Sequence, residues 1–349
     1  MSNRVILSTS LFKDLAIAIA ECSHDKIFIL TDDNTRRHCW PMLQTHTGLH
    51  HARHITIRPS DAHKDLETLA QVWSALSSDG ATRHSCLICL GGGMVTDLGG
   101  FAAATFKRGI NYINSPTTLL AMVDASVGGK TGINFNGLKN EVGAFSQSAY
   151  VLISTQFLRT LDTDNLLSGY AEMIKHGLIS DKATWASLMN FDILHPDLDA
   201  LQQMVAQSVA VKERIVEKDP HEHNIRKALN LGHTIGHAFE SWALRRQEPI
   251  LHGHAVAYGL VCELYLSCLH QGFPTDKMRT TVAYIRENYG RLPVTCDDYP
   301  QLIELMTHDK KNMAGNINFT MLADIGDIRI NQTVSISDIE EALDFYREG

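Results

Sequence analysis

The chain has 349 residues, 44% of them apolar and 20% charged, a balance ordinary for a globular protein with room for two domains and a large core. Its net charge of −8, from 31 Lys and Arg against 39 Asp and Glu, argues against non-specific nucleic-acid binding. No apolar run approaches the roughly 20 residues of a membrane span, and Met1-Ser2-Asn3-Arg4 opens without the apolar core of a secretory signal. Seven cysteines, an odd count scattered from Cys22 to Cys296, form no disulfide framework, so the expected compartment is a reducing cytoplasm.

The first third alternates two kinds of pattern. Val5-Ile6-Leu7, Ile27-Phe28-Ile29-Leu30 and Cys86 to Leu90 read as short strands, while Leu11–Ala20 and Leu66–Leu76 carry apolar residues at helical spacing. Strands alternating with helices predict a parallel sheet covered on both faces. Cys86 and Cys89 have CxxC spacing, but their run is apolar and reads as buried strand, not as a redox or zinc pair.

Gly91-Gly92-Gly93 follows the third strand directly, and Met94 to Ala104 reads as a helix. A glycine turn between strand and helix lets backbone N–H groups approach a phosphate at the helix start. The GxGxxG fingerprint is not met, because Thr96 stands at the third glycine position. The acidic pair Asp32-Asp33 precedes the glycines, where the usual order puts a ribose-binding acid about 20 residues after them. Two readings stay open: a nucleotide site of different topology, or a plain tight turn.

Gly128-Gly129-Lys130-Thr131 invites a P-loop reading but fails its spacing, since a P-loop needs Gly, four residues, then Gly-Lys, and Asp124 would repel phosphate. Lys130, Lys139 and Asn140 lie in Gly-rich loops and suit a polar anionic substrate or a solvated surface. From about Leu158 strand patterns vanish until a hairpin over 316–322, and helical patterns run over 201–217, 227–245, 255–270 and 277–289. This shift sets the expected domain boundary, 1–157 against 158–349, with a ligand cleft expected where the halves meet.

The helical half carries the densest chemistry. His233 and His237, in Asn230-Leu231-Gly232-His233-Thr234-Ile235-Gly236-His237, are four apart and stack on one helix face. His252 and His254 follow, and Glu172 lies upstream with Lys175 three residues later on the same face. Two His and one Glu form the three-ligand set that leaves a position open in catalytic zinc sites. On spacing alone His233 and His237 are the natural ligand pair. Lys212, Arg226, Asn230 and the Lys310-Lys311 pair add cations and an amide, each unremarkable singly.

Six blocks in order resemble the dehydroquinate synthases of the sugar-phosphate cyclase superfamily: residues 91–109, 115–134, 138–145, 168–179, 226–240 and 251–259. The resemblance implies an N-terminal Rossmann-like, parallel-sheet NAD-binding α/β domain and a C-terminal all-α metal-binding domain. It implies a lyase of the shikimate pathway that turns 3-deoxy-D-arabino-heptulosonate 7-phosphate into 3-dehydroquinate and phosphate. Transient oxidation by NAD+, phosphate elimination, reduction and intramolecular aldol closure regenerate the NAD+. The divalent metal, Zn2+ or Co2+, acts as a Lewis acid on substrate hydroxyls.

Carried over by position, the implied metal ligands are Glu172, His233 and His252, with His237 beside the substrate, which corrects the pairing read from spacing. The implied substrate positions are Asp124, Lys130, Asn140, Lys175, Lys212, Arg226, Asn230, His237 and one of Lys310 and Lys311. The implied NAD positions are Asp32, Asn34, Asp61, Lys64, Gly91, Gly92, Gly93, Met94, Asp97, Thr117, Thr118, Lys130, Lys139 and Thr160. Arg108 matches an arginine that reaches the neighbouring subunit's substrate, so a homodimer is implied. The chain departs from the family at His254, where a Glu is usual, at Asp162, where a Pro is usual, and at Asp61, which replaces a longer acid. A sister cyclase on another sugar phosphate, a metal-dependent alcohol or glycerol dehydrogenase, and an NAD-binding scaffold are the competing readings. The first two would differ in substrate or release NADH, and the third would need a lost ligand or lysine.

Overall fold

The computed structural model describes residues 4–220, 222–307 and 317–348. Two compact units divide the chain: Met1–Asp162 with Asp197–Val209, and Thr163–Pro196 with Ala210–Gly349.

The first unit is built on six parallel strands. They are β1 (Arg4–Leu7), β2 (Ile27–Asp32), β3 (Arg53–Ile57), β4 (Cys86–Gly91), β5 (Asn111–Pro116) and β8 (Tyr150–Ile153), in the order β1-β8-β5-β4-β2-β3. Every residue of β2, β4 and β8 is buried, which is why these strands read as unbroken apolar runs. Helices α1 (Leu11–Glu21), α2 (Asp33–His38), α3 (Leu66–Ser78) and α4 (Gly93–Thr105) fill the connections. Leu69, Val72 and Leu76 of α3 and Leu98 and Ala102 of α4 share one core with Phe28, Leu30, Leu87 and Cys89. Each large side chain buried there stabilises by about 1.5–3 kcal/mol. Cys86 and Cys89 are core residues, as read from the sequence, with the Cys86 sulfur 3.5 Å from that of Cys22. All seven cysteines are free.

Strand register gathers residues that are far apart in sequence. β2 pairs with β4 and β4 with β5, with Gly91 opposite Pro116. Asp32, Gly91 and Thr117 therefore share the carboxyl edge of three adjacent strands. The order that disqualified Asp32 as an ordinary Rossmann acid is offset by this adjacency. An antiparallel hairpin, β6 (Lys130–Phe135) and β7 (Leu138–Phe145), stands where the sequence reads as Gly-rich loop.

The second unit is helical: α5 (Thr163–Leu178), α6 (Lys182–Met189), α8 (His233–Arg245), α9 (His252–Gln271), α10 (Thr275–Tyr289), α11 (Tyr299–Thr307) and α12 (Ile336–Glu348). Helix α7 (Leu198–Lys218) begins among residues of the first unit and ends among those of the second. One hairpin, β9 (Phe319–Asp324) and β10 (Asp327–Gln332), turns at Ile325-Gly326, a few residues later than the pattern over 316–322 suggests. The helical pattern over 227–245 proves to be two pieces. A short turn at Ile225–Asn230 is cut from α8 by Gly232, whose φ of 80° is left-handed and cannot continue a helix. Among the described residues no helix is long and apolar enough to cross a membrane.

Candidate functional site

At the carboxyl edge of the sheet, β4 ends at Gly91 and α4 begins at Gly93, with Gly92 at the N-cap and no side-chain cap. A Cβ at Gly91 would stand 2.5 Å from that of Val95, so that position requires glycine, and one at Gly92 would press on the Thr118 methyl at 3.0 Å. The Thr117 N–H donates to the Gly91 carbonyl at 3.0 Å and ties β5 to the glycines. Asp32 is largely committed locally: its Oδ1 accepts the Thr35 N–H at 2.7 Å and its own N–H donates to Thr35 Oγ1 at 3.0 Å, a capping box for α2. Asn34 follows, exposed, in the first turn of that helix.

A second group joins the hairpin to the helix after the glycine turn. Lys64 is buried, and its ammonium donates to Asp97 Oδ2 and to Asn140 Oδ1, both at 2.6 Å. Lys139 lies 3.6 Å from Asp61, which also accepts from the Asn134 side chain at 3.2 Å. Asn140 holds a positive φ of 50°, a conformation Asn tolerates better than most residues. Met94 is half-buried in the first turn of α4, and Thr118, Asp124, Lys130 and Thr160 belong to the same unit. Arg108 is exposed at the end of a tight turn, with φ of 67° beside Lys107 at 49°.

The helical unit contains most of the buried charges among the described residues. Glu172 and Lys175, one turn apart on α5, are 0% and 1% exposed and form an ion pair. Glu172 Oε1 lies 3.4 Å from His233 Nε2 and 3.6 Å from His252 Nε2, and neither carboxylate oxygen has a well-formed hydrogen bond among the described residues. Burial alone pushes the Glu172 carboxyl up. Lys175, then His233 and His252, outweigh it and hold the group well below the usual carboxylate range. The ring nitrogens of His233, His237 and His252 gather within 4.8 Å of one another. Burial pushes the His252 imidazole down, but Glu172 and Glu240 outweigh it and bring it up to about 10.

In the same unit Lys212 and Arg226 are also buried, and Asn230 is half-buried. Arg226 is held by its own loop: its Nη1 donates to the Pro220 carbonyl at 2.5 Å, and its backbone N–H donates to Asp219 at 3.1 Å. The Asn230 amide donates to Glu222 at 3.0 Å. His254, at the position of the family's Glu, packs edge-on against Tyr289 at 5.3 Å, and burial lowers its pKa. Lys310 and Lys311 lie outside the described residues. Sequence reasoning overlooked Glu240, whose Oε2 is 3.3 Å from His252 Nδ1. It stands three residues after His237 and seven after His233, on the same helix face, so the spacing carried the signal.

Solved structures of similar architecture include a 2-epi-5-epi-valiolone synthase from Streptomyces hygroscopicus with NAD+ and Zn2+ bound, 26% identical, with a TM-score of 0.85 and coverage of 100% of this chain and 97% of that one. A 2-deoxy-scyllo-inosose synthase complexed with carbaglucose-6-phosphate, NAD+ and Co2+ is 21% identical, with a TM-score of 0.83 and coverage of 99% and 96%; it bears on the fold alone. The architecture is thus that of the sugar-phosphate cyclases.

Sequence narrows the class. Residues 54–168 match the profile of the 3-dehydroquinate synthase N-terminal domain, and 169–312 that of the C-terminal domain. A 3-dehydroquinate synthase of Parabacteroides distasonis is 57% identical over 346 residues, 99% of this chain and 98% of the relative. The chain belongs to the 3-dehydroquinate synthase family.

Proposed function

We propose that this enzyme converts 3-deoxy-D-arabino-heptulosonate 7-phosphate to 3-dehydroquinate and phosphate, and that Glu172, His233 and His252 hold a divalent metal for the reaction. The observation that carries the metal site is the Glu172 carboxylate, fully buried against two imidazole nitrogens at 3.4 and 3.6 Å. Two ligands each about 2.0–2.1 Å from a tetrahedral ion stand about 3.3 Å apart, so the donor set fits zinc or cobalt with little rearrangement. The glycine turn supports NAD+ in the same way. Its uncapped helix start and glycine-only backbone leave room for a pyrophosphate.

Bound there, NAD+ supplies a reversible hydride acceptor and the metal a Lewis acid. The protein's own residues bind and orient. Lys175, Lys212 and Arg226 are cations kept out of water, suited to a substrate bearing one carboxylate and one phosphate. Asn230 and Asn140 offer amides to hydroxyls, with Asp124 and Lys130 as further polar contacts. His237, whose ring meets that of His233 edge-on at 5.3 Å, exchanges a proton with the substrate at a ring nitrogen. Asp32, Asn34, Asp61, Lys64, Met94, Asp97, Thr117, Thr118, Lys139 and Thr160 line the cofactor side. One of Lys310 and Lys311 completes the substrate set.

The division into an NAD-binding domain over 1–157 and a metal- and substrate-binding domain over 158–349 belongs to this reading. So do a cytoplasmic location, in keeping with seven free cysteines, and a homodimer in which the exposed Arg108 serves the neighbouring site. Mixed dimers of an Arg108→Ala chain and a site-dead chain would regain activity if the arginine acts across the interface; no recovery would refute that role.

The decisive experiment follows phosphate release from the heptulosonate phosphate with catalytic NAD+ and zinc while NADH absorbance is recorded. Stoichiometric phosphate and dehydroquinate with no net NADH is expected. Net NADH would favour a dehydrogenase. Turnover of sedoheptulose or glucose phosphates alone would favour a sister cyclase.

A further inference from the structure

His233 and His252 are each the first residue of a helix, α8 and α9. A helix start carries partial positive charge, about half an elementary charge, on its unpaired N–H groups. It attracts anions, so it is an unfavourable place to hold a divalent cation. Helix α8 does not correct this from its own residues, because its N-cap is Gly232, left-handed and without a side chain, and its first turn carries no acid.

The missing cap comes from the other helix. Glu263 of α9 is completely buried. Its Oε2 accepts the Gly232 N–H at 2.6 Å, and its Oε1 accepts the Ile235 N–H at 3.1 Å. These two N–H groups bracket His233 in the chain. A second carboxylate crosses the other way, to a ring instead of backbone N–H groups: Glu240 Oε2 of α8 lies 3.3 Å from His252 Nδ1 at the start of α9. Each helix therefore sends a carboxylate to the other's histidine-bearing end, and the pair runs antiparallel.

The backbones leave no slack for another arrangement. A Cβ at Gly259 would lie 2.0 Å from the Gly232 carbonyl oxygen, and one at Gly236 would lie 2.8 Å from that of Ala255. Gly259 and Glu263 are one turn apart on α9, so the contact that seats Gly232 also delivers the carboxylate to its N–H.

We propose that Glu263 is a positioning residue for the metal centre, fixing the start of α8 so that His233 points inward and supplying the negative charge that makes this helix end compatible with a cation. The inference rests on the metal site proposed above.

The test compares zinc affinity, measured on the full-length apoprotein with a chromophoric chelator as competitor, and the Co2+ absorption spectrum, for wild type, Glu263→Gln, Glu263→Asp and His233→Ala. Glu263→Gln keeps the shape and loses the charge; Glu263→Asp keeps the charge and shortens the reach. The expected order of affinity is wild type, then Asp, then Gln, with Gln weakened about 10-fold or more, the scale of groups that orient metal ligands. A cap with a structural role alone lowers the melting temperature but leaves zinc affinity of the folded protein and the Co2+ spectrum unchanged, or leaves Gln nearer wild type than Asp. Either result overturns the proposal. If Glu263→Gln does not fold, Glu263→Asp decides: zinc binding weaker than wild type together with an altered Co2+ spectrum supports the role, and wild-type affinity with an unchanged spectrum refutes it. Wild-type zinc affinity in His233→Ala would instead overturn the metal site itself, which keeps the two failures apart.

Discussion

The carboxyl edge of the sheet and the helical charge cluster place their functional groups by opposite means. At the sheet edge, strand register brings Asp32, Gly91 and Thr117 together, and Asp61, Lys139 and Asn140 are solvent-exposed. In the helical unit Glu172, Lys175, Lys212 and Arg226 are sealed inside the core. A charge in water is nearly free to hold, whereas a buried one must be balanced atom by atom. Substitutions in the helical unit should therefore reduce stability and function together, and those at the sheet edge should mainly affect binding.

The largest effect expected is at Lys175. Lys175→Met leaves the buried Glu172 carboxylate without its ammonium, and loss of one partner of a buried pair costs about 3 kcal/mol or more. Urea denaturation of the apoprotein measures it, and added zinc should recover much of the loss by supplying positive charge. An unchanged midpoint would mean that the pair is not ionised as described. A smaller effect is expected at Lys64, which is buried but pairs with the partly exposed Asp97 on the side proposed for NAD+. Lys64→Met should raise the NAD+ dissociation constant about 10-fold, roughly 1.4 kcal/mol, with less change in folding stability. Calorimetric titration with NAD+ beside a thermal melt separates the two. A melt that collapses while NAD+ binding persists would break the contrast between the two regions.

The smallest effect belongs to a surface group of the first unit. Burial of the His54 ring against Trp40 at 4.4 Å, then the nearby Arg36, bring its pKa down to about 4. The folded state thus keeps this imidazole neutral while the unfolded chain takes up a proton below about 6.5. Its contribution is present above pH 6.5 and is lost as pH falls towards 4. Because much of the residue faces solvent, the loss is about 0.5 kcal/mol. Subtracting the stability-against-pH curve of His54→Gln from that of wild type should isolate this slope, and parallel curves would remove it.

The sequence shows the helical unit more fully than the sheet. Helices α7, α9 and α10 fall within a few residues of their apolar patterns, because α7 and α10 each bury a stripe at helical spacing and α9 is buried nearly all round. The glycine turn and both helix-start histidines are legible as motifs. Strand β5 is not, since its Asn114, Ser115 and Pro116 read as loop although they are buried. Hairpin β6–β7 hides behind exposed, mixed residues. Glu263 is illegible for a different reason. Nothing local marks a Glu inside an apolar helix as the cap of another helix, and its meaning arises only when Gly259 meets Gly232. Asp32 shows the converse case: the acid is visible in the sequence, but its engagement with Thr35 is not.

Many zinc domains exist as folded proteins only while loaded, because nothing but the ion brings their ligands together. Here the close contact of Gly259 with the Gly232 carbonyl holds the starts of the two histidine-bearing helices in register by backbone packing, and Lys175 balances Glu172 without any ion. The apoprotein is then a durable vessel. In a cell short of zinc it would persist, escape the turnover that awaits unfolded chains, and refill when metal returns, so that recovery of flux would follow metal supply instead of new synthesis.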